Sequence, residues 1–312
     1  MPLDPVIQSL FQQFPQLAIR PVWEKTPAEA RALFKQFCQF ADPRIVAIGK
    51  SEDIKIPGPA GPLGLRVYTP VAAGGAALPA ILYLHGGGFV VGDLDCYDGL
   101  CRTLASESGC RVISVDYRLA PEHPFPAAVD DCFAAFHWVQ ANASDVSVDL
   151  NRLAVAGDSA GGNLAAVVCL LAAHSKIRPE IAYQLLIYPD TRVSSTPTER
   201  PFGSGYFLDN RTIEQYHRHY IPARFDPADW CLSPIEARDV SGLPPTYIVT
   251  AGFDPLRQDG IDYAEKLKAA GVAVTHVDYP TMIHGFFSMP GLIPLASEAI
   301  AAAAHAVRDA LK

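Results

Sequence analysis

Charge is scarce in this chain. Asp, Glu, Lys and Arg make up 19% of its 312 residues against 49% hydrophobic, and the net charge of −8 comes with no run of Lys or Arg. A nucleic-acid partner needs a basic patch to displace counterions from phosphates, and none is legible. A long apolar run is lacking too: the longest, Leu164 to Ala173, is ten residues, about half of the roughly 20 that cross a bilayer as a helix. The first twenty residues have no basic start, unbroken apolar core or small-residue cleavage site, so they do not read as a signal peptide. The seven cysteines (38, 96, 101, 110, 132, 169, 231) are odd in number, irregularly spaced and without a Cys-x-x-Cys pair. Neither a disulfide framework nor a clustered zinc site fits that spacing, so the expectation is reduced thiols in a cytoplasmic protein without a metal. Repeats and low-complexity linkers are absent, which leaves a single domain.

The residues that are present fall into two periods. Ala30, Leu33, Phe34, Phe37 and Phe40 recur at helical spacing within 28–40. From Glu52 the pattern turns extended. Asp53–Ile56 and Leu63–Tyr68 form an expected antiparallel pair. Six further apolar strands follow, at 80–84, 111–115, 153–156, 183–188, 246–250 and 274–278, with helical stretches between most of them. Strands apolar on both faces and separated by helices imply an α/β fold, a mostly parallel eight-stranded sheet flanked by helices. Between Asp190 and Leu243 the alternation lapses, apart from a helical stretch at 212–220. That insertion (about 190–242), paired with the N-terminal helices (about 1–48), is expected to form a helical cap over a catalytic core made by the remainder.

Chemistry is concentrated in four places. Gly157-Asp158-Ser159-Ala160-Gly161 fits Gly-x-Ser-x-Gly between an apolar strand and a helix, the setting of a nucleophile elbow in the α/β-hydrolase fold. The small flanking residues let strand and helix approach while Ser159 projects, and the helix start presents free N–H groups. His85-Gly86-Gly87-Gly88 follows the strand AILYL, so the N–H groups of Gly87, Gly88 and Ala160 are the expected oxyanion hole. His85 is expected to order that loop. A phosphate loop does not fit, since Gly-Lys-Ser/Thr is missing. The serine needs a base. His284 lies just past the last strand, at the sheet edge where α/β sites form, whereas His276 sits inside that strand and His217, His219 and His305 lie on helical stretches, where solvation or packing is the default. Asp254 follows the strand YIVTA and is the expected orienting acid. Asp259, Asp262 and Asp278 are weaker alternatives. The order Ser, Asp, His is that of α/β hydrolases.

HGGGF at 85–89, DYRLAPEHPFPAA at 116–128, GDSAGG at 157–162, GFDPL at 252–256 and IHGF at 283–286 together resemble the bacterial hormone-sensitive-lipase-like carboxylesterases, in the subgroup marked by Asp158. The resemblance implies a capped serine esterase that hydrolyses short- to medium-chain carboxylic esters without a cofactor, and a homodimer. Glu122 and His123 are expected to fix their loop. Gln258 departs from the family, which usually has Asp there. Phe89, Phe207, Leu208, Ile283, Phe286 and Phe287 are candidate apolar walls for the substrate. Two other functions stay open: a binding module on the same fold, and the same chemistry on amides, acetylated sugars or lactones.

Overall fold

The structure is a computed structural model that describes residues 1–18, 22–71, 77–193 and 200–312. Residues 19–21 and 194–199, within the segments expected to form the cap, lie outside that set. One eight-stranded sheet organises the chain, with strands β1 (Lys50–Gly58), β2 (Gly61–Thr69), β3 (Leu78–Leu84), β4 (Arg111–Asp116), β5 (Val148–Asp158), β6 (Tyr183–Ile187), β7 (Thr246–Phe253) and β8 (Val274–Ile283). Their order is β1-β2-β4-β3-β5-β6-β7-β8. β2 runs antiparallel to both β1 and β4, and every pair from β4 onwards is parallel. Each of the eight expected strands is found, most of them longer at the ends, where polar residues continue the ladder after the apolar signal has stopped.

Alternation along the strands divides the core in two. Leu82, Leu84, Ile113 and Val155 face one layer, and Ile81, Tyr83, Val112 and Ala156 face the other, because successive side chains of a strand point to opposite faces. The first layer holds α5 (Ala127–Ala141), α6 (Ala160–His174) and α8 (Arg257–Ala269). The second holds α4 (Asp98–Ser108) and α9 (Pro294–Ala310), which pack against each other. α6 is buried nearly all round, as a helix wedged between sheet and neighbouring helices must be.

The N-terminal segment contributes α1 (Pro5–Gln13), α2 (Pro15–Ala18) and α3 (Pro27–Ala41). α3 starts at a capping box: Thr26 Oγ1 accepts from the Glu29 N–H, while the Glu29 carboxylate accepts from the Thr26 N–H at 2.8 Å. Pro27 fits the first turn, where its missing N–H costs nothing. Of the expected apolar face, Ala30 and Phe37 are buried, but Leu33 and Phe40 are 43% and 44% exposed. The covered stripe runs along residues 30, 34, 37 and 41, and the two exceptions flank it, lining a surface groove with Phe14 and Leu17. Two cations tie α3 to the core. Arg31 donates to the Val90 and Ala120 carbonyls and pairs with Glu122, and Lys35 bridges Asp93 and Asp95 at 3.0 and 2.7 Å. In the insertion after β6, α7 (Asn210–Tyr220) is capped by Asp209, which accepts from the Thr212 N–H at 2.7 Å. No helix among the described residues is long and apolar enough to cross a membrane.

Candidate active site

β5 runs directly into α6, and Ser159 stands at the junction with φ 54° and ψ −120°. A side chain held at positive φ is strained, and the surroundings maintain it through extreme proximity. A Cβ on Gly161 would meet the Leu84 carbonyl oxygen at 1.9 Å, and one on Gly157 would meet the Gly161 carbonyl oxygen at 2.2 Å. Only glycine lets β3, β5 and α6 come this close. The Ser159 N–H donates to Ile187 O at 2.8 Å, and its own carbonyl accepts from the Asp190 N–H at 3.2 Å.

β8 ends at Ile283, so His284 is the next residue, and β7 ends one residue before Asp254. The imidazole lies between them: Nε2 is 3.0 Å from Ser159 Oγ and Nδ1 is 2.8 Å from Asp254 Oδ2. Asp254 Oδ1 accepts from the Leu256 N–H at 2.7 Å, which fixes the carboxylate's rotamer. All three residues are buried, Ser159 being 9% exposed. The competing acids have other partners. Asp278 pairs with Arg257 and accepts from Thr250, Asp259 pairs with Arg200, and Asp262 pairs with Arg192 and accepts from Gln258. Gln258 thus bonds to its own helix and makes no hydrogen bond to Asp254.

The HGGG loop lies alongside the serine. Gly87 and Gly88 take φ 111° and 59°, and neither N–H makes a hydrogen bond among the described residues. Ala160 opens α6, so its N–H has no intrahelical acceptor either. His85 holds the loop rather than facing the serine. Its Nδ1–H donates to Gly86 O at 2.7 Å, and its ring is stacked on Tyr97 and on Tyr117. Burial pushes the His85 pKa down to about 4, so the ring stays neutral. Asp158 acts on the same loop: its Oδ1 accepts from the Gly86 N–H at 2.8 Å and from the Tyr83 hydroxyl at 2.7 Å. Burial outweighs these bonds and raises the Asp158 pKa to about 6.

A cavity enclosing about 90 Å³ opens over Ser159, its walls drawn from segments far apart in the sequence. Ala30, Phe34 and Phe37 come from α3, Thr212, Ile213, Tyr216 and His217 from α7, and Phe207 and Leu208 from the loop before α7. Tyr216 presses onto the HGGG loop, so that a Cβ on Gly88 would fall 2.0 Å from its ring. Of the candidate walls, Phe207 and Leu208 line the cavity. Phe89, Ile283, Phe286 and Phe287 do not. The Phe89 ring turns away and stacks on Tyr220 at 3.8 Å, and the other three are core residues, Phe286 packing on Tyr188 and Phe287. A hydrophobic letter beside a motif does not say which way its side chain points. The α3 residues and the α7 face were missed as walls, although the 213, 216, 217, 220 spacing marks an inward stripe. His217 is neither solvated nor passively packed: it is buried in a pair with Asp190. No group of three His, Cys, Asp or Glu among the described residues could hold a metal.

A strained serine at the carboxyl edge of a mostly parallel sheet, with a histidine and an acid supplied by later strands, is the arrangement of the α/β hydrolases. Residues 81–288, more than half of the chain, match a family described by its alpha/beta hydrolase fold, and the chain belongs to that family, in its hormone-sensitive-lipase-like branch. Esterase LipI of Mycobacterium tuberculosis is 46% identical over 79% of this chain and 78% of its own length. The hyperthermophilic esterase of Pyrobaculum calidifontis superposes with a TM-score of 0.91 at 40% identity, over 99% of both chains. An ester hydrolase from the metagenome of Lake Arreo, solved with a bipyridine phosphonate derivative, gives a TM-score of 0.93 at 39% identity over 98% of both.

Proposed function

We propose that this protein is a serine carboxylesterase acting on short- to medium-chain carboxylic esters through an acyl-enzyme, with Ser159 as nucleophile, His284 as base and Asp254 as orienting acid. The observation that carries it is the unbroken relay of 3.0 and 2.8 Å from Ser159 Oγ through the imidazole to a buried carboxylate. His284 Nε2 takes the serine proton as Oγ attacks the ester carbonyl, and Asp254 stabilises the imidazolium. Negative charge on the carbonyl oxygen falls to the Gly87, Gly88 and Ala160 N–H groups, whose lack of acceptors leaves them ready, each worth roughly 3 kcal/mol of barrier. The alcohol leaves with the proton from His284. A water activated by the same ring then releases the acid, so the cycle requires no cofactor.

The same proposal includes the cap of about 1–48 and 190–242, supported by the walls that α3 and α7 supply. The seven unpaired thiols support a cytoplasmic location, and the family resemblance supports a homodimer. The test is hydrolysis of 4-nitrophenyl butyrate by the wild type and by Ser159→Ala. We expect turnover by the wild type and a loss of several orders of magnitude in the variant. Equal rates would remove Ser159 from the nucleophile's role. No turnover by either, together with tight binding of a small ester, would move the protein to the binding modules built on this fold.

A further inference from the structure

The relay uses one histidine and one aspartate, yet a second buried pair of the same kind lines the cavity. His217 Nε2 lies 2.8 Å from Asp190 Oδ2, with both side chains 8% exposed. Asp190 is fixed to the nucleophile's own turn, its N–H donating to Ser159 O and its carbonyl accepting from Asn163 Nδ2 at 2.8 Å. His217 reaches the pair from the far side, on the inner face of α7. We propose that this pair, together with Thr212, forms a polar subsite that takes up a hydroxyl group carried by the ester, deepening the esterase assignment on which it rests.

Three observations support the subsite. The rest of the cavity wall is mostly apolar, and two apolar side chains would line it at less cost than a desolvated carboxylate and imidazole. With Nε2 committed to Asp190, Nδ1 is the ring's remaining polar atom, and it makes no hydrogen bond among the described residues. Thr212, on the same helix and also lining the cavity, has its Oγ1 buried near the Asp209 carboxylate without a hydrogen-bond partner. A hydroxyl left buried in this state is costly unless something meets it, and His217, at the same cavity wall, is within reach of the same ligand.

The chemistry of the ring selects the ligand. As an imidazolium, His217 offers an Nδ1–H donor. As a neutral ring with its proton on Nε2, it offers an Nδ1 acceptor. A hydroxyl both donates and accepts, so it matches either state and also matches the Thr212 hydroxyl. An alkyl chain satisfies neither group, and a carboxylate would face the charge of Asp190.

The test uses two matched ester pairs. One is 4-nitrophenyl 3-hydroxybutyrate with 4-nitrophenyl butyrate, with the hydroxyl on the acid side. The other is 2-hydroxyethyl butyrate with propyl butyrate, with the hydroxyl on the alcohol side. For each pair the ratio of kcat/KM is measured on the wild type, His217→Phe and Thr212→Val. Comparing ratios across the three proteins cancels both the folded fraction and the intrinsic reactivity of each ester. We expect a wild-type ratio that favours the hydroxylated member of one pair, a ratio lowered roughly tenfold in His217→Phe, and a smaller fall in Thr212→Val. Ratios that stay the same in all three proteins for both pairs overturn the proposal. Failure of the esterase assignment would show separately, as no wild-type turnover of the plain esters.

Discussion

At the scale of single residues, Asp158 and His85 set up an opposed pair of titrations. Asp158 has its pKa raised by burial from 3.8 to about 6, and His85 has its lowered by burial from 6.5 to about 4. For Asp158 the folded state holds its proton more tightly than the unfolded chain, so stability falls as pH rises from about 4 to about 6. For His85 the folded state resists protonation, so stability falls as pH drops from about 6.5 to about 4. Each shift is worth on the order of 3 kcal/mol, and over about pH 4 to 6 the two cancel. Asp158→Asn removes one side. We expect the melting temperature of the variant, followed from pH 6.5 down to 4, to drop more steeply than that of the wild type. Parallel profiles would show that Asp158 does not carry the raised pKa. Asp158 was legible in the sequence only as a letter of its motif. Its work depends on Gly86 and Tyr83, which lie 72 and 75 residues away, and no local pattern encodes that contact.

At the scale of elements, the sequence was most informative where local chemistry decides conformation. The strands declare themselves through short apolar runs, and the elbow through small residues between a strand and a helix. The contact distances explain why those small residues are required. Gly161→Ala would push a methyl into the Leu84 and His85 carbonyl oxygens, 1.9 and 2.5 Å away, and backbone atoms of a central strand cannot retreat. Overpacking of this kind costs about 3 kcal/mol, which in a chain of this size lowers the melting temperature by about 5 °C. Thermal denaturation followed by circular dichroism measures it, and a variant that melts with the wild type would contradict the close approach. Helix faces were less legible. The outward turn of Leu33 and Phe40 depends on what happens to lie beside α3, and the inward turn of His217 depends on Asp190, a residue outside its helix.

Across the whole molecule, the cavity was the least legible feature, because its walls come from segments near residues 30, 90, 210 and 284 that only the folded sheet brings together. Burial of the thiols is a property of this same scale. Five of the seven cysteines are buried, leaving Cys96 and Cys231 partly accessible, and burial raises the Cys231 pKa to about 12. Thiolates are the reactive form, so Ellman titration of the native protein at neutral pH should find no more than two slow thiols, and all seven after denaturation. Rapid reaction of more than two in the native state would mean that the buried layers open readily.

The contrast between the rigid elbow and the composite wall bears on how such a protein can change over generations. The elbow proposed to carry the nucleophile sits where backbone meets backbone, so few substitutions there fit. The wall is built from side chains of α3 and α7, helices anchored at their caps and by salt bridges, so those side chains can be exchanged while the frame stays put. Chemistry is thereby inherited almost unchanged while substrate choice drifts, and a laboratory lineage seeking a new ester would find most of its viable steps on those two helices.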